Sequence, residues 1–324
     1  MTRTEVVAWL LEGDVSIQYQ VHRDLLGQER PDLQRRIAHE GWGAAYLAAR
    51  NADGTWGRGF YQPKWTCSHY TLLDLASFGM SPDAPGIREG IERIAREELG
   101  SDGGINPAGS VAQSDVCING MFLTYACHFG VPEERLATVV DFVLAQVMED
   151  GGFNCRRNRS GAHHSSVHST ICVMEGAWTY ARRGYRYRAD ALAEAATSSR
   201  AFLLQHRLFQ SDRSGAVIHP NLLRFVHPAR WKYHVLRCLD GLAGADAPWD
   251  ERMADAMDVV VAKRRPDGRW NGGAAHPGQV HMALERAGTP SRWITLMALR
   301  VLDRYGEAYG RRGPAHDPIR AAPA

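Results

Sequence analysis

Four short stretches decide how this chain is read: Asn51-Ala-Asp53-Gly54-Thr-Trp56, Ser101-Asp102-Gly103-Gly104-Ile105, Glu149-Asp150-Gly151-Gly152-Phe153 and Pro266-Asp267-Gly268-Arg-Trp270. Each joins an Asp-Gly pair to a large apolar residue two positions past the glycine. The first three recur at intervals of 49 and 48 residues. The 117 residues from Asp150 to Asp267 leave room for one degenerate copy, and Ser211-Asp212-Arg-Ser-Gly215-Ala lies near their middle. Five copies at such a period are the signature of a repeat architecture.

The flanks define the unit. Before each copy lies an amphipathic stretch with helical apolar recurrence, such as Leu136 to Gln146 or Ala201 to Gln205. After it, across a polar loop, comes a more apolar helix, as in Tyr70 to Phe78, Gly120 to Phe129 and Ile171 to Trp178. These helices are expected to close on Gly79, Gly130, Gly184 and Gly306, since glycine takes the left-handed C-terminal position without steric cost. The unit is therefore helix, Asp-Gly turn, loop, helix. The second helices are too apolar for an exposed concave face, so a closed ring is expected rather than an open solenoid. The fold class is all-α, an (α/α)5–6 barrel or toroid. Val6 to Leu11, Tyr19 to Leu26 and Trp42 to Arg50 supply the remaining elements. One domain is expected over residues 1–310, with recognisable repeats over about 42–307, and the Pro- and Ala-rich residues 311–324 are expected to be a disordered tail.

The repeat also explains the composition. Of 324 residues 32 are Gly, near 10% where about 7% is usual, and 9 are Trp. Net charge is +2, from 38 Lys and Arg against 36 Asp and Glu, which gives no electrostatic reason to expect nucleic acid. No apolar run is long enough for a membrane span, and Met1 to Trp9 lacks the apolar core of a secretory signal. A cytoplasmic location is expected, with Cys67, Cys117, Cys127, Cys155, Cys172 and Cys238 reduced.

The polar residues that open the second helices are the candidates for chemistry. Asp115 and Cys117 stand at the start of one, and His168 at the start of the next. Carboxylate, thiolate and imidazole are zinc-type donors, and three protein ligands with one open position mark a catalytic site. Each also has a plainer reading, Asp115 as an N-cap and Cys117 as a small core residue. The loop Asn154 to His168 gathers Arg156, Arg159 and His164, suited to an anionic leaving group and acid–base work, with Arg157 and His163 read as solvated. Cys155 is a spare thiol that is able to replace a ligand. Trp65, His69, Cys155, Trp231 and Trp293, with Lys232 at the rim, are expected to wall a substrate cavity or else to pack between helices.

The Gln/Asn-x-Asp-Gly-x-Trp/Phe repeats resemble those of squalene and oxidosqualene cyclases and of protein prenyltransferase β subunits, over residues 42–307. The resemblance implies an (α/α)6 barrel with its active site in the central cavity. Protein prenyltransferase β subunits hold catalytic Zn²⁺ through an Asp-x-Cys opening one inner helix and a His opening a following one, which implies Asp115, Cys117 and His168 here. Two departures stand out. The Asp-x-Asp-Asp acid of squalene-type cyclases is absent, and Asn106 to Ser114 lacks the basic residues that precede Asp-x-Cys in prenyltransferases. The α subunit that completes the prenyltransferase site is not part of this chain. The expectation is a zinc-dependent, prenyltransferase-like transferase acting on a small molecule or peptide thiol. Its rivals are a metal-free terpenoid cyclase-like enzyme and a non-catalytic lipid- or peptide-binding toroid.

Overall fold

The computed structural model describes residues 1–107 and 111–311; the expectation for the tail falls, beyond Arg311, outside the described residues. Fourteen α-helices are described: α1 (Arg3–Leu11), α2 (Val15–Leu25), α3 (Pro31–Arg36), α4 (Gly41–Ala48), α5 (Ser68–Ser77), α6 (Ile87–Glu97), α7 (Val116–His128), α8 (Ala137–Ala145), α9 (Arg156–Ser160), α10 (Val167–Arg182), α11 (Ala189–Gln205), α12 (Val235–Gly244), α13 (Ala254–Ala262) and α14 (Arg292–Gly310). The described residues contain only isolated β-bridges, so the chain is all-α. No helix among them is long and apolar enough to cross a membrane.

The Asp-Gly stretches join α4 to α5, α6 to α7, α8 to α10 and α13 to α14 by one turn. Its first residue donates a backbone N–H four positions on: Asn51 to Thr55 O at 2.8 Å, Gly100 to Gly104 O at 2.7 Å, Met148 to Gly152 O at 3.0 Å and Arg265 to Arg269 O at 2.9 Å. Gly54, Gly103, Gly151 and Gly268 have φ of 81°, 84°, 88° and 82°, the left-handed region that a side chain disfavours. The large residue that follows donates its N–H into the first turn of the next helix. Trp56 donates to Ser68 Oγ (2.9 Å), Ile105 to Asn119 Oδ1 (2.7 Å), Phe153 to Thr170 Oγ1 (3.0 Å) and Trp270 to Thr295 Oγ1 (3.1 Å). Between α11 and α12 the turn is one residue longer, with Ser211 N–H bound to Ala216 O and Gly215 at φ 68°.

Each pair has an amphipathic partner and a buried one. In α6 only Ile87, Ile91, Ile94 and Ala95 are buried, one face of a helix, whereas α7 buries nearly its whole surface. The buried helices are linked in sequence. Gln20 of α2 donates to Ser77 O of α5, and His69 of α5 bonds the Tyr125 hydroxyl of α7. Arg237 of α12 pairs with Glu175 of α10, and Arg300 of α14 bridges Asp240 of α12 and Asp24 of α2. Between α7 and α10 the backbones nearly touch: a Cβ on Gly120 would lie 2.6 Å from the Cys172 carbonyl.

Gly79, Gly130 and Gly184 take positive φ at helix ends, as expected. Gly306 does not: α14 runs through it to Gly310. Leu302, Tyr305 and Tyr309 pack their rows against the core there, and this holds the helix together past a residue that weakens helices intrinsically.

Candidate functional site

The residues singled out in the sequence lie at the N-terminal ends of the buried helices. Asp115 occupies the N-cap position of α7, but its side chain does not cap the helix. Both carboxylate oxygens instead receive the Arg159 guanidinium, Nε at 2.8 Å and Nη2 more closely. The short helix α9 delivers that arginine, and Asn158 beside it donates to Ser114 O at 3.2 Å.

The docking of this loop also brings Cys155 to Cys117. The Cys155 sulfur accepts the Cys117 backbone N–H at 3.2 Å and the Ser169 hydroxyl at 3.3 Å. The interaction of the two neighbouring thiols holds Cys155 below the usual thiol range and raises Cys117 above it. An N–H from the first turn of a helix is an orphan donor, and a sulfur placed on it is stabilised as an anion.

His168 is turned to another purpose. Its Nδ1 accepts the Tyr233 backbone N–H at 2.8 Å, and its ring meets Trp231 edge-on at 5.5 Å. Burial pushes its pKa down to about 4, so the ring is neutral and carries its proton on Nε2. Neither nitrogen then offers a free lone pair. Asp115 is bound to Arg159, Cys117 lies against Cys155 and His168 accepts from Tyr233, so each of the three side chains is engaged with a protein partner. Among the described residues no group of three His, Cys, Asp or Glu is arranged to hold a metal.

The remaining candidates are spread out. Arg156 and His164 are exposed on the loop, His164 holding Asn154 through its carbonyl. Lys232 Nζ sits 3.6 Å from the Trp231 ring centroid, and burial lowers its pKa. His69 is fully buried beside Tyr125, with its pKa pushed down to about 3 by burial. Trp65 is buried edge-on against Tyr70 and donates Nε1 to Pro277 O at 3.0 Å. Trp293 alone among these lines the large cavity.

That cavity, about 930 Å³, opens at the other end, where α2, α5, α7, α10, α12 and α14 all contribute to its wall. Residues 226–230 form part of its lining, and Arg230 lies over Trp65 at 5.6 Å. Trp178, Trp293 and Met297 supply apolar surface, with His227 stacked on Trp293 at 4.1 Å. Seven arginines line it against five carboxylates. Arg230, Arg237 and Arg300 are paired with acids. Arg182 and Arg183 have no carboxylate partner among the described residues. Arg182 donates to Gly244 O and to the Thr179 hydroxyl, while Arg183 donates to His128 Nδ1 at 3.1 Å. His128 is neutral, its pKa pushed down to about 4 by burial, and its Nε2–H is bound to Met80 O. Burial and then the neighbouring cations Arg23 and Arg183 lower the pKa of Arg182. Two partly exposed cations at the end of one helix, held by neutral groups, form a place for an anion.

Sequence reading missed this pair, because Lys or Arg in the last helical turn is the ordinary complement to the helix dipole. The available signal was Arg182-Arg183-Gly184 closing a buried rather than a solvated helix. Set against known proteins, the chain matches no protein-family model and no curated protein.

Proposed function

We propose that the helix pairs close into an (α/α)5–6 toroid, and that the chain is a prenyltransferase-like enzyme whose substrate is an apolar chain with an anionic head. The linked contacts from α2 through α5, α7, α10, α12 and α14 back to α2 support the ring. The observation that carries the function is the cavity itself. Trp178, Trp293 and Met297 present surface for an isoprenoid-like tail, and Arg182 and Arg183 stand at one end with no salt-bridge partner among the described residues.

The reading is tested by titrating the intact protein with geranylgeranyl diphosphate and with geranylgeraniol, following tryptophan fluorescence. The expected result is saturable quenching by the diphosphate that an Arg182→Ala/Arg183→Ala variant weakens at least tenfold, about the worth of one charge-assisted contact. The alcohol is expected to bind weakly to both proteins. Equal binding of the diphosphate by the variant sinks the assignment.

A metal-free, cyclase-like reaction is the second reading, favoured by Asp74 in the cavity wall. Burial pushes its pKa up to about 6 against the opposing pull of Arg230, which brings a proton-bearing carboxyl within reach of neutral pH. Solvent deuterium incorporated at carbon in the product, undiminished by chelation, is the outcome that selects it.

A further inference from the structure

We propose that Cys117 and Cys155 form a redox-active dithiol that exchanges with small disulfides, with Cys155 as the attacking sulfur and Cys117 as the resolving thiol. The proposal concerns the end of the helices away from the cavity and does not depend on the cavity's ligand. Cys117 lies seven residues, about 10 Å of helix rise, from Thr124 at the cavity wall.

Three observations carry it. The two sulfurs come from positions 38 apart and are brought together by two anchors, Asn158 on Ser114 O and Arg159 on Asp115. The Cys155 sulfur collects donors that a departing or attacking thiolate needs, the Cys117 N–H at the start of α7 at 3.2 Å and the Ser169 hydroxyl at 3.3 Å. Finally, these two cysteines are half-buried, whereas Cys67, Cys127, Cys172 and Cys238 have no exposed surface. A reagent from solution therefore meets this pair before any other thiol. The pairing that takes Cys117 away from a metal is the one that gives it a second sulfur.

The chemistry balances in two exchanges. Cys155–SH attacks one sulfur of a disulfide R–S–S–R; the R–S bond partner leaves with the proton as RSH, and Cys155–S–S–R remains. Cys117–SH then attacks the Cys155 sulfur, the second R–S leaves as RSH, and Cys117–S–S–Cys155 is formed. Two electrons pass from the dithiol to the small disulfide, and a dithiol reductant reverses the sequence.

The test treats fully reduced, full-length protein with glutathione disulfide and follows intact mass, released thiol and alkylated peptide maps. Wild type is expected to release two glutathiones per chain, retain four of its six thiols and yield a peptide linking residues 117 and 155. Cys117→Ser is expected to stop at a glutathione adduct on Cys155, and Cys155→Ser to form neither product. Ser169→Ala, which leaves both thiols in place, is expected to slow the first step about tenfold by removing one hydrogen bond to the developing anion. Retention of all six thiols, first modification at another cysteine, an adduct that wild type does not resolve, or an unchanged Ser169→Ala rate overturns the proposal.

Discussion

Arg230 pairs with Asp74, 156 positions earlier, and both side chains are almost wholly buried. The arginine takes φ 58°, a left-handed conformation that costs a non-glycine residue about 1–2 kcal/mol. Its guanidinium also lies over Trp65, and Tyr46 donates its hydroxyl to the same carboxylate at 3.1 Å. Removing either charge strands the other with almost no exposed surface. Arg230→Ala or Asp74→Ala is expected to cost about 3–5 kcal/mol in urea unfolding, and the double variant less than the sum. Additive losses would show that the two charges are independently solvated.

The repeated turn makes a sharper claim. Thr170 and Thr295 receive the N–H groups of Phe153 and Trp270, both buried. Thr→Val at either position keeps the shape and leaves a donor without an acceptor, for an expected loss of about 1–3 kcal/mol. Thr197, whose hydroxyl bonds only its own helix on an exposed surface, serves as the control and is expected to move stability by less than half a kcal/mol. If Thr170 and Thr197 respond alike, the repeat is not held by this bond.

These turns were legible because their chemistry is local. Asp53-Gly54 and its relatives need only a left-handed glycine and an acceptor a short way along the chain, and both leave marks in the sequence. The thiol site was half legible. Cys117 stands out by its place at a helix start, and Cys155 only as a spare thiol. What joins them is a loop whose docking depends on Arg159 finding Asp115 across 44 positions, and no periodicity encodes that. Arg182 and Arg183 were not legible, since a basic helix end looks the same in sequence whether it faces bulk water or the mouth of a cavity. His168 is a similar case: its register matches the metal ligand that the resemblance implies, while its acceptor role comes from Tyr233, 65 residues on.

The crossing of α7 and α10 predicts intolerance of a single methyl. Gly120→Ala places Cβ against the Cys172 carbonyl, and Gly176→Ala places it 2.5 Å from Gly120 O. Backbone cannot rotate away as a side-chain tip does, so the helices must separate. The expected cost is about 1–3 kcal/mol or more for each, read from thermal and urea midpoints. Gly306→Ala, with open space around its Cβ inside a regular helix, is expected to stabilise by up to about 1 kcal/mol. A stabilising Gly120→Ala would contradict the packing of the two helices.

Metal content separates the engaged donors from the set that the resemblance implies. Protein purified without a histidine tag is expected to carry far less than one zinc per chain. Asp115→Ala is expected to destabilise it through the loss of the Arg159 contact rather than through loss of metal. Stoichiometric zinc that disappears in an Asp115→Ala/Cys117→Ala variant would restore the implied site and require His168 to give up Tyr233.

Acid stability tests the buried histidines together. Burial pushes His69 and His234 down to about 3, pushes His128, His168, His276 and His281 down to about 4, and lowers His227 well below its ordinary value. In each case the folded value lies below the unfolded one, near 6.5, so the folded state binds the proton less readily. The stability this represents is present above pH 6.5 and is lost as pH falls toward 4. Asp74, Glu98, Asp240 and Glu285 act in the opposite sense, because burial raises them. Seven histidines outweigh four acids. Unfolding free energy is therefore expected to fall steadily as pH drops below 6.5. His234 shows the cause at one residue: Nδ1 accepts the Arg237 N–H at 3.0 Å and Nε2–H meets Val226 O at 3.0 Å, an arrangement that a protonated ring cannot keep. His234→Asn retains an acceptor for the helix start and does not titrate, so it is expected to be less stable at pH 7 but to lose less on acidification. Equal pH slopes for wild type and His234→Asn would remove His234 from the account.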